Sequence, residues 1–130
     1  MIADSSFLIA LFIEEDGNHE NAIIDFSNVG DNIILIPDRV LEETFTVVTY
    51  KKGILYTIGV LERIRLNKKC VIYHLSASEQ EAIIALINKL KIRISFIDYC
   101  VAYLTIAKDE ELLCYDKEII SFKKKYESML

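Results

Sequence analysis

The sequence predicts an α/β domain in which helices cover both faces of a mostly parallel sheet. Three observations support this. Short apolar runs of strand length alternate with longer stretches of helical periodicity. The clearest run, Ile33–Ile36, is continuously apolar rather than alternating, the mark of a strand covered on both faces. Helix-start signals, such as Ser followed three residues later by an acid, recur where the helical stretches open.

The elements follow in order. Met1 to Asp4 reads as a short first strand. Ser5 to about Glu15 reads as a helix with Leu8, Leu11 and Phe12 on one face. Asn18 is placed to cap a second helix running to about Phe26. Ile33–Ile36 forms the next strand, and Pro37 with Asp38 marks its end. A helix follows to about Lys52, with Leu41, Phe45 and Val48 at helical spacing, and Gly53 stops it. Another helix covers about Ile54 to Leu66. Lys69 to His74 reads as a strand. Ser78 with Glu81 has the form of a capping box opening a helix to about Leu90. Ser95 with Asp98 has the same form and opens a helix to about Lys108. Leu112 to Tyr115 is the last strand, and Asp116 to Glu127 the last helix.

Bulk properties bound the function. A length of 130 residues suits one domain over residues 1–130, with no linker or repeat in the composition. One Pro, four Gly and a hydrophobic fraction of 52% argue against a disordered or loop-rich chain. The net charge of −5 excludes a protein that grips duplex nucleic acid by overall basicity. It leaves room for an enzyme whose metal ions supply positive charge locally. Cys70, Cys100 and Cys114 form no CxxC pair and sit in apolar runs, which reads as buried, reduced thiols in a cytoplasmic protein. The apolar run Phe7–Ile13 is too short to span a membrane and lacks the basic flank of a secretion signal.

The acids carry the chemistry. In an open parallel sheet, ligands sit beyond the carboxyl ends of the strands. Asp4 closes the first strand and Asp116 closes the last. Asp98 lies in the first turn of its helix and Glu43 in the second turn of the helix after Ile33–Ile36. Helices begin at that same edge, so the topology lets all four converge. On the helical wheel the apolar face centres near Leu41, Thr44 and Val48, with Glu43 at its border and Glu42 turned to solvent. Converging carboxylates repel unless cations compensate. An oxygen-only donor set favours Mg²⁺ or Mn²⁺ over zinc. Such ions activate water and stabilise a leaving oxygen, a route to phosphodiester hydrolysis. Each acid also has an ordinary reading: Asp4 and Asp116 as N-caps, Asp98 as half of a capping box, Glu43 as a solvated helix residue.

At these residues the chain resembles the PIN domain family. "MIADSSFLIALF" resembles the family's opening, a hydrophobic strand ending in Asp followed by small hydroxyl residues. "IPDRVLEETFTVV" resembles its second motif and places the metal-site acid at Glu43. "ISFIDYCVAYLTIAKDEELLCYDKEI" resembles its last two, placing acids at Asp98 and Asp116. The resemblance implies a three-layer α/β/α sandwich with a parallel sheet of about five strands. It implies Mg²⁺- or Mn²⁺-dependent endonucleolytic cleavage of RNA by Asp4, Glu43, Asp98 and Asp116. Small single-domain members are commonly VapC-like toxins of type II toxin–antitoxin pairs, often homodimeric and held inactive by a protein antitoxin. Ser6 matches the family's small hydroxyl near the metal, a position that helix capping also explains. Cys114 departs from the family, which often has Thr or Ser there.

Two other readings are weighed. A PIN module outside toxin–antitoxin systems binds RNA or protein without cutting, or processes RNA. Such modules usually lose one or more acids, and this chain keeps four. A phospho-receiver wants paired acids after its first strand, and a haloacid-type phosphotransferase wants Asp-x-Asp. Asp4-Ser5-Ser6 supplies neither.

Overall fold

The computed structural model describes residues 1–130. Four strands, β1 (Ile2–Ala3), β2 (Ile34–Pro37), β3 (Cys70–Tyr73) and β4 (Leu112–Leu113), form one parallel sheet in the order β3-β2-β1-β4. Seven helices surround it: α1 (Ser5–Phe12), α2 (His19–Ser27), α3 (Asp38–Lys52), α4 (Ile54–Leu66), α5 (Ala77–Leu90), α6 (Phe96–Ala107) and α7 (Lys117–Ser128). The expected α/β/α sandwich is present, with four strands in a sheet expected to have about five.

Parallel pairing forces a helical crossover between strands, and the crossovers build the two outer layers. α1 packs against α2 and α3, and α3 against α4. On the other side α6 packs on β1 and against α5 and α7. The buried centre runs through Ile2, Ala3, Phe7, Ile34, Ile36, Val40, Tyr99 and Leu104. Tyr99 is sealed in this core because its hydroxyl has partners there: it donates to the Ile92 carbonyl at 2.6 Å and accepts from the Ile92 N–H at 2.9 Å. No helix is long and apolar enough to cross a membrane.

The sheet's order reverses beside β1. The chain leaves β1 for β2 on one flank, then crosses back to add β4 on the other. Such a switch point opens a crevice beyond the carboxyl ends of the two strands that flank it, here β1 and β4.

Several boundaries differ from the sequence reading. α1 stops at Phe12 instead of Glu15, and Asp16 holds the turn by accepting from the Asn18 N–H at 2.9 Å. Asn18 stands at the start of α2 but makes no side-chain cap. The capping box of α5 is Ser76 with Glu79, not Ser78 with Glu81: the Ser76 hydroxyl accepts from the Glu79 N–H at 3.1 Å. The box at Ser95 and Asp98 forms as expected. β4 ends at Leu113 because the next groups leave the ladder; the Tyr115 N–H donates to the Ser6 hydroxyl at 2.9 Å.

Candidate active site

Asp4 stands at the end of β1, where its N–H completes the ladder by donating to the Leu113 carbonyl at 2.9 Å. Its backbone is extended while Ser5 begins α1, so it is the helix N-cap. One carboxylate oxygen, Oδ2, accepts from the Ser6 N–H at 3.1 Å. The other, Oδ1, is buried without any hydrogen-bond partner. Asp4 is only 2% exposed. A buried carboxylate oxygen left bare is costly and marks either a strained site or a place for a ligand.

Asp116 plays the same part at β4. It caps α7, with Oδ1 accepting from the Glu118 N–H at 2.9 Å and the Ile119 N–H at 3.4 Å. Asp98 occupies the third position of α6 and closes the capping box by accepting from the Ser95 N–H at 3.4 Å through Oδ2. In all three aspartates one oxygen serves the helix start and the other stays outside the protein's hydrogen-bond network. The capping readings are therefore correct, and they leave half of each carboxylate uncommitted.

Electrostatics tie the three together. Burial raises the Asp98 carboxyl above its ordinary value; bonds from Ser95 oppose this, and the charges of Asp116 and Asp4 add to the rise. Like charges disfavour one another's ionisation, and Asp116 and Asp4 both act on Asp98 in that sense.

Glu43 comes from α3 on the opposite side of β1. It is half-buried, whereas Glu42 is exposed, as the helical wheel indicates. It is held by a residue the sequence reading passed over: the buried hydroxyl of Ser5 donates to Glu43 Oε1. The only signal in the sequence was a second hydroxyl residue beside Asp4.

Ser6 and Cys114 fill the space between β1 and β4. The Cys114 Sγ lies 3.6 Å from Asp4 Oδ2 and 3.6 Å from the Ser6 hydroxyl, and the Asp116 N–H donates to it at 3.3 Å. Burial, reinforced by the Asp4 charge, pushes the Cys114 thiol up to about 12. The sulfur therefore stays protonated, donating to Asp4 rather than competing as a thiolate ligand. The Tyr115 hydroxyl donates to Asp25 of α2.

The donor set of Asp4, Asp98, Asp116 and Glu43 is all oxygen, and Asp4 Oδ1 is bare, which fits a hard divalent cation. The side chains are not closed around a point: no three His, Cys, Asp or Glu groups stand in a chelating arrangement. Such a cation keeps most of its own waters when few carboxylates hold it, so an open site suits it. A second concavity of about 530 Å³ lies between α1, α2 and α4, walled by Phe7, Leu11, Phe12, Ile23, Phe26 and Leu66. None of the four acids lines it.

The comparisons with known proteins agree with this architecture. The family model for the PIN domain matches residues 1–126. Among solved structures, Mycobacterium tuberculosis VapC20, a Sarcin-Ricin loop cleaving toxin, superposes with a TM-score of 0.80 at 20% identity over 92% of each chain. VapBC2 from Rickettsia felis, solved with a DNA fragment from its promoter, gives 0.66 at 17% identity over 95% of this chain and 90% of that one. At such identities the likeness is one of fold. No curated protein matches the chain in sequence.

Proposed function

This chain belongs to the PIN domain family, and on that premise we propose that it is an endoribonuclease that hydrolyses RNA phosphodiester bonds with Mg²⁺ or Mn²⁺ held by Asp4, Asp98, Asp116 and Glu43. The observation that carries the reading is the bare, buried Oδ1 of Asp4; burial, with the charges of Asp116 and Asp4 adding to it, also raises the Asp98 carboxyl. A purely structural cap needs no buried oxygen without a partner.

The cation, when bound, offsets the acids' repulsion, lowers the pKa of a bound water and balances charge that develops on the phosphate. The protein's own contribution is placement. β1 and β4 fix Asp4 and Asp116 at the switch point, the capping bonds fix the rotamers of the aspartates, and Ser5 aims Glu43. Because those hydrogen bonds are made before substrate arrives, little reorganisation is left for the reaction step. Cys114 and Ser6 hold the β1–β4 seam and keep the wall beneath Asp4 free of competing charge.

The toxin assignment rests on the two structural neighbours. One is a Sarcin-Ricin loop cleaving toxin, and the other is VapBC2. We extend both to this chain: it acts as the toxin of a type II pair in the cytoplasm, as a homodimer, and is silenced by a protein antitoxin. The apolar concavity between α1, α2 and α4 suits an amphipathic antitoxin segment, and a basic residue reaching the carboxylates would stand in for the cation. The test is cleavage of a structured RNA by the purified chain with Mn²⁺ or Mg²⁺. Activity must vanish with chelator and in Asp4→Asn. Cleavage that persists under chelation overturns the mechanism.

A further inference from the structure

An acidic chain that cuts RNA must hold a polyanion beside its own acids. The cation at the carboxylates neutralises charge at one phosphate, and the flanking phosphates need other partners. A groove of about 410 Å³ lies between the segment before α6 and the exposed face of α7. Arg93, Lys117 and Lys125 line it, with the Ser121 hydroxyl between the two lysines, Ile94 on its wall and one acid, Glu118. None of the three cations makes an ion pair within the protein, although Lys52, Arg65 and Lys123 do elsewhere. Lys123, on the same helix, is committed to Glu127 at 2.8 Å.

None of the four acids lines the groove, but two of its cations neighbour site residues along the chain. Arg93 and Ile94 run directly into Ser95, which bonds Asp98. Lys117 directly follows Asp116. Lys117, Ser121 and Lys125 recur at every fourth residue, on one face of α7 and about 6 Å apart along the helix axis. That is on the order of the step between phosphates of an extended strand.

Resting on the nuclease activity proposed for this site, the geometry points to the groove as a binding track for the RNA backbone, in which Arg93, Lys117 and Lys125 hold phosphates flanking the one at the carboxylates. Phosphate contacts of this kind set register without reading sequence. The chain proximity of Lys117 to Asp116, and of Arg93 to the Ser95 that bonds Asp98, favours nucleic acid over an acidic peptide, since the carboxylates would repel the peptide while a bound cation would draw a phosphate to them.

The test uses the 130-residue chain in chelator, which blocks cleavage, and a fluorescent single-stranded RNA titrated between about 50 and 200 mM salt, a range over which phosphate contacts show strong salt dependence. The Arg93→Gln/Lys125→Gln double variant is compared with Lys51→Gln/Lys68→Gln, which removes equal charge outside the groove. Thermal melts confirm that both fold. The groove variant should bind several-fold more weakly, with a log–log salt slope shallower by about 1.4. Glu118→Gln should bind more tightly. With Mn²⁺ restored, the groove variant should show a raised KM at near-parental kcat. If the groove and control variants share one affinity and one slope, the track is overturned and the nuclease stands. If polyglutamate, but not RNA, loses affinity in the groove variant, the groove serves an acidic peptide and the proposal fails. If RNA binding falls as expected but no variant or parent cleaves with metal, the track stands and the nuclease reading falls.

Discussion

The hydroxyl of Ser5 donates to the carboxylate of Glu43, joining the first turn of α1 to the second turn of α3 across 38 residues. Ser5 is buried, so this bond fixes the one site acid that does not stand at the end of a strand or the start of a helix. It also separates Glu43 from Glu42, which is exposed and makes no side-chain bond within the protein.

Glu43→Gln should therefore lower RNA cleavage by about 10²-fold or more, the usual loss when a charge-positioning group is removed, while Glu42→Gln stays near the parent. Both changes remove one negative charge from α3, so equal activity in the two would refute a site role. Ser5→Ala should retain part of the activity and cost about 1 kcal/mol of stability for a lost buried hydrogen bond. Cleavage assays and thermal melts measure the two effects separately.

Asp4→Asn should abolish cation binding. In the parent, Mn²⁺ at a hundredfold excess over its Kd should stabilise the fold by about 2.7 kcal/mol. The variant should show no metal-dependent rise in Tm, while its cap on α1 survives because Asn also accepts at an N-cap. Equal thermal shifts in parent and variant would place the metal elsewhere.

Asp98→Asn without metal should be as stable as the parent or more stable at neutral pH. The sign follows from the raised carboxyl. A folded-state value above the unfolded one means the ionised group opposes folding at high pH. That penalty is full above the raised value and disappears as pH falls toward the ordinary 3.8. The advantage of the variant should shrink over the same window in pH-dependent melts. Asp116→Asn without metal should likewise be as stable as the parent or more stable, because it removes a charge that opposes Asp98 and keeps the cap on α7. Marked destabilisation of both would assign these acids to structure alone.

Gly53→Ala should cost about 1–3 kcal/mol while leaving RNA cleavage intact. Gly53 joins α3 to α4 at φ 86° and ψ 167°, a region essentially closed to residues with a Cβ. Chemical denaturation would register the loss, and an unchanged midpoint would contradict the backbone argument.

The placement of the candidate site's acids was largely legible in the sequence because two of them, Asp4 and Asp116, close apolar runs. Asp4 and Asp116 had to fall at the carboxyl edge of a parallel sheet, and Ser95-x-x-Asp98 fixed a helix start. The side of α3 facing inward followed from Leu41, Thr44 and Val48, which separated Glu43 from its neighbour. Other features depend on tertiary choice. Ser76-x-x-Glu79 and Ser78-x-x-Glu81 overlap and satisfy the same local rule; the earlier pair forms the box. The brevity of β4 comes from Ser6 capturing the Tyr115 N–H, a contact across 109 residues that no window of sequence contains. The Ser5–Glu43 bond is of the same long-range kind, and so is the groove beside α7, whose cations come from two separate segments.

The central place of β1 has a consequence for incomplete chains. β1 needs β4 as a neighbour: Ile2 pairs with Leu112, Ala3 with Leu113, and the Asp4 N–H ends on the Leu113 carbonyl. A nascent polypeptide, a product of early termination, or a fragment clipped anywhere ahead of Leu112 lacks both Asp116 and the strand that seats Asp4. Partial synthesis and proteolytic nicking should therefore yield inert pieces rather than weakened nucleases. The register of the sheet thus couples the first residues of the chain to residues more than a hundred positions later, and the carboxylate edge assembles only once both are present.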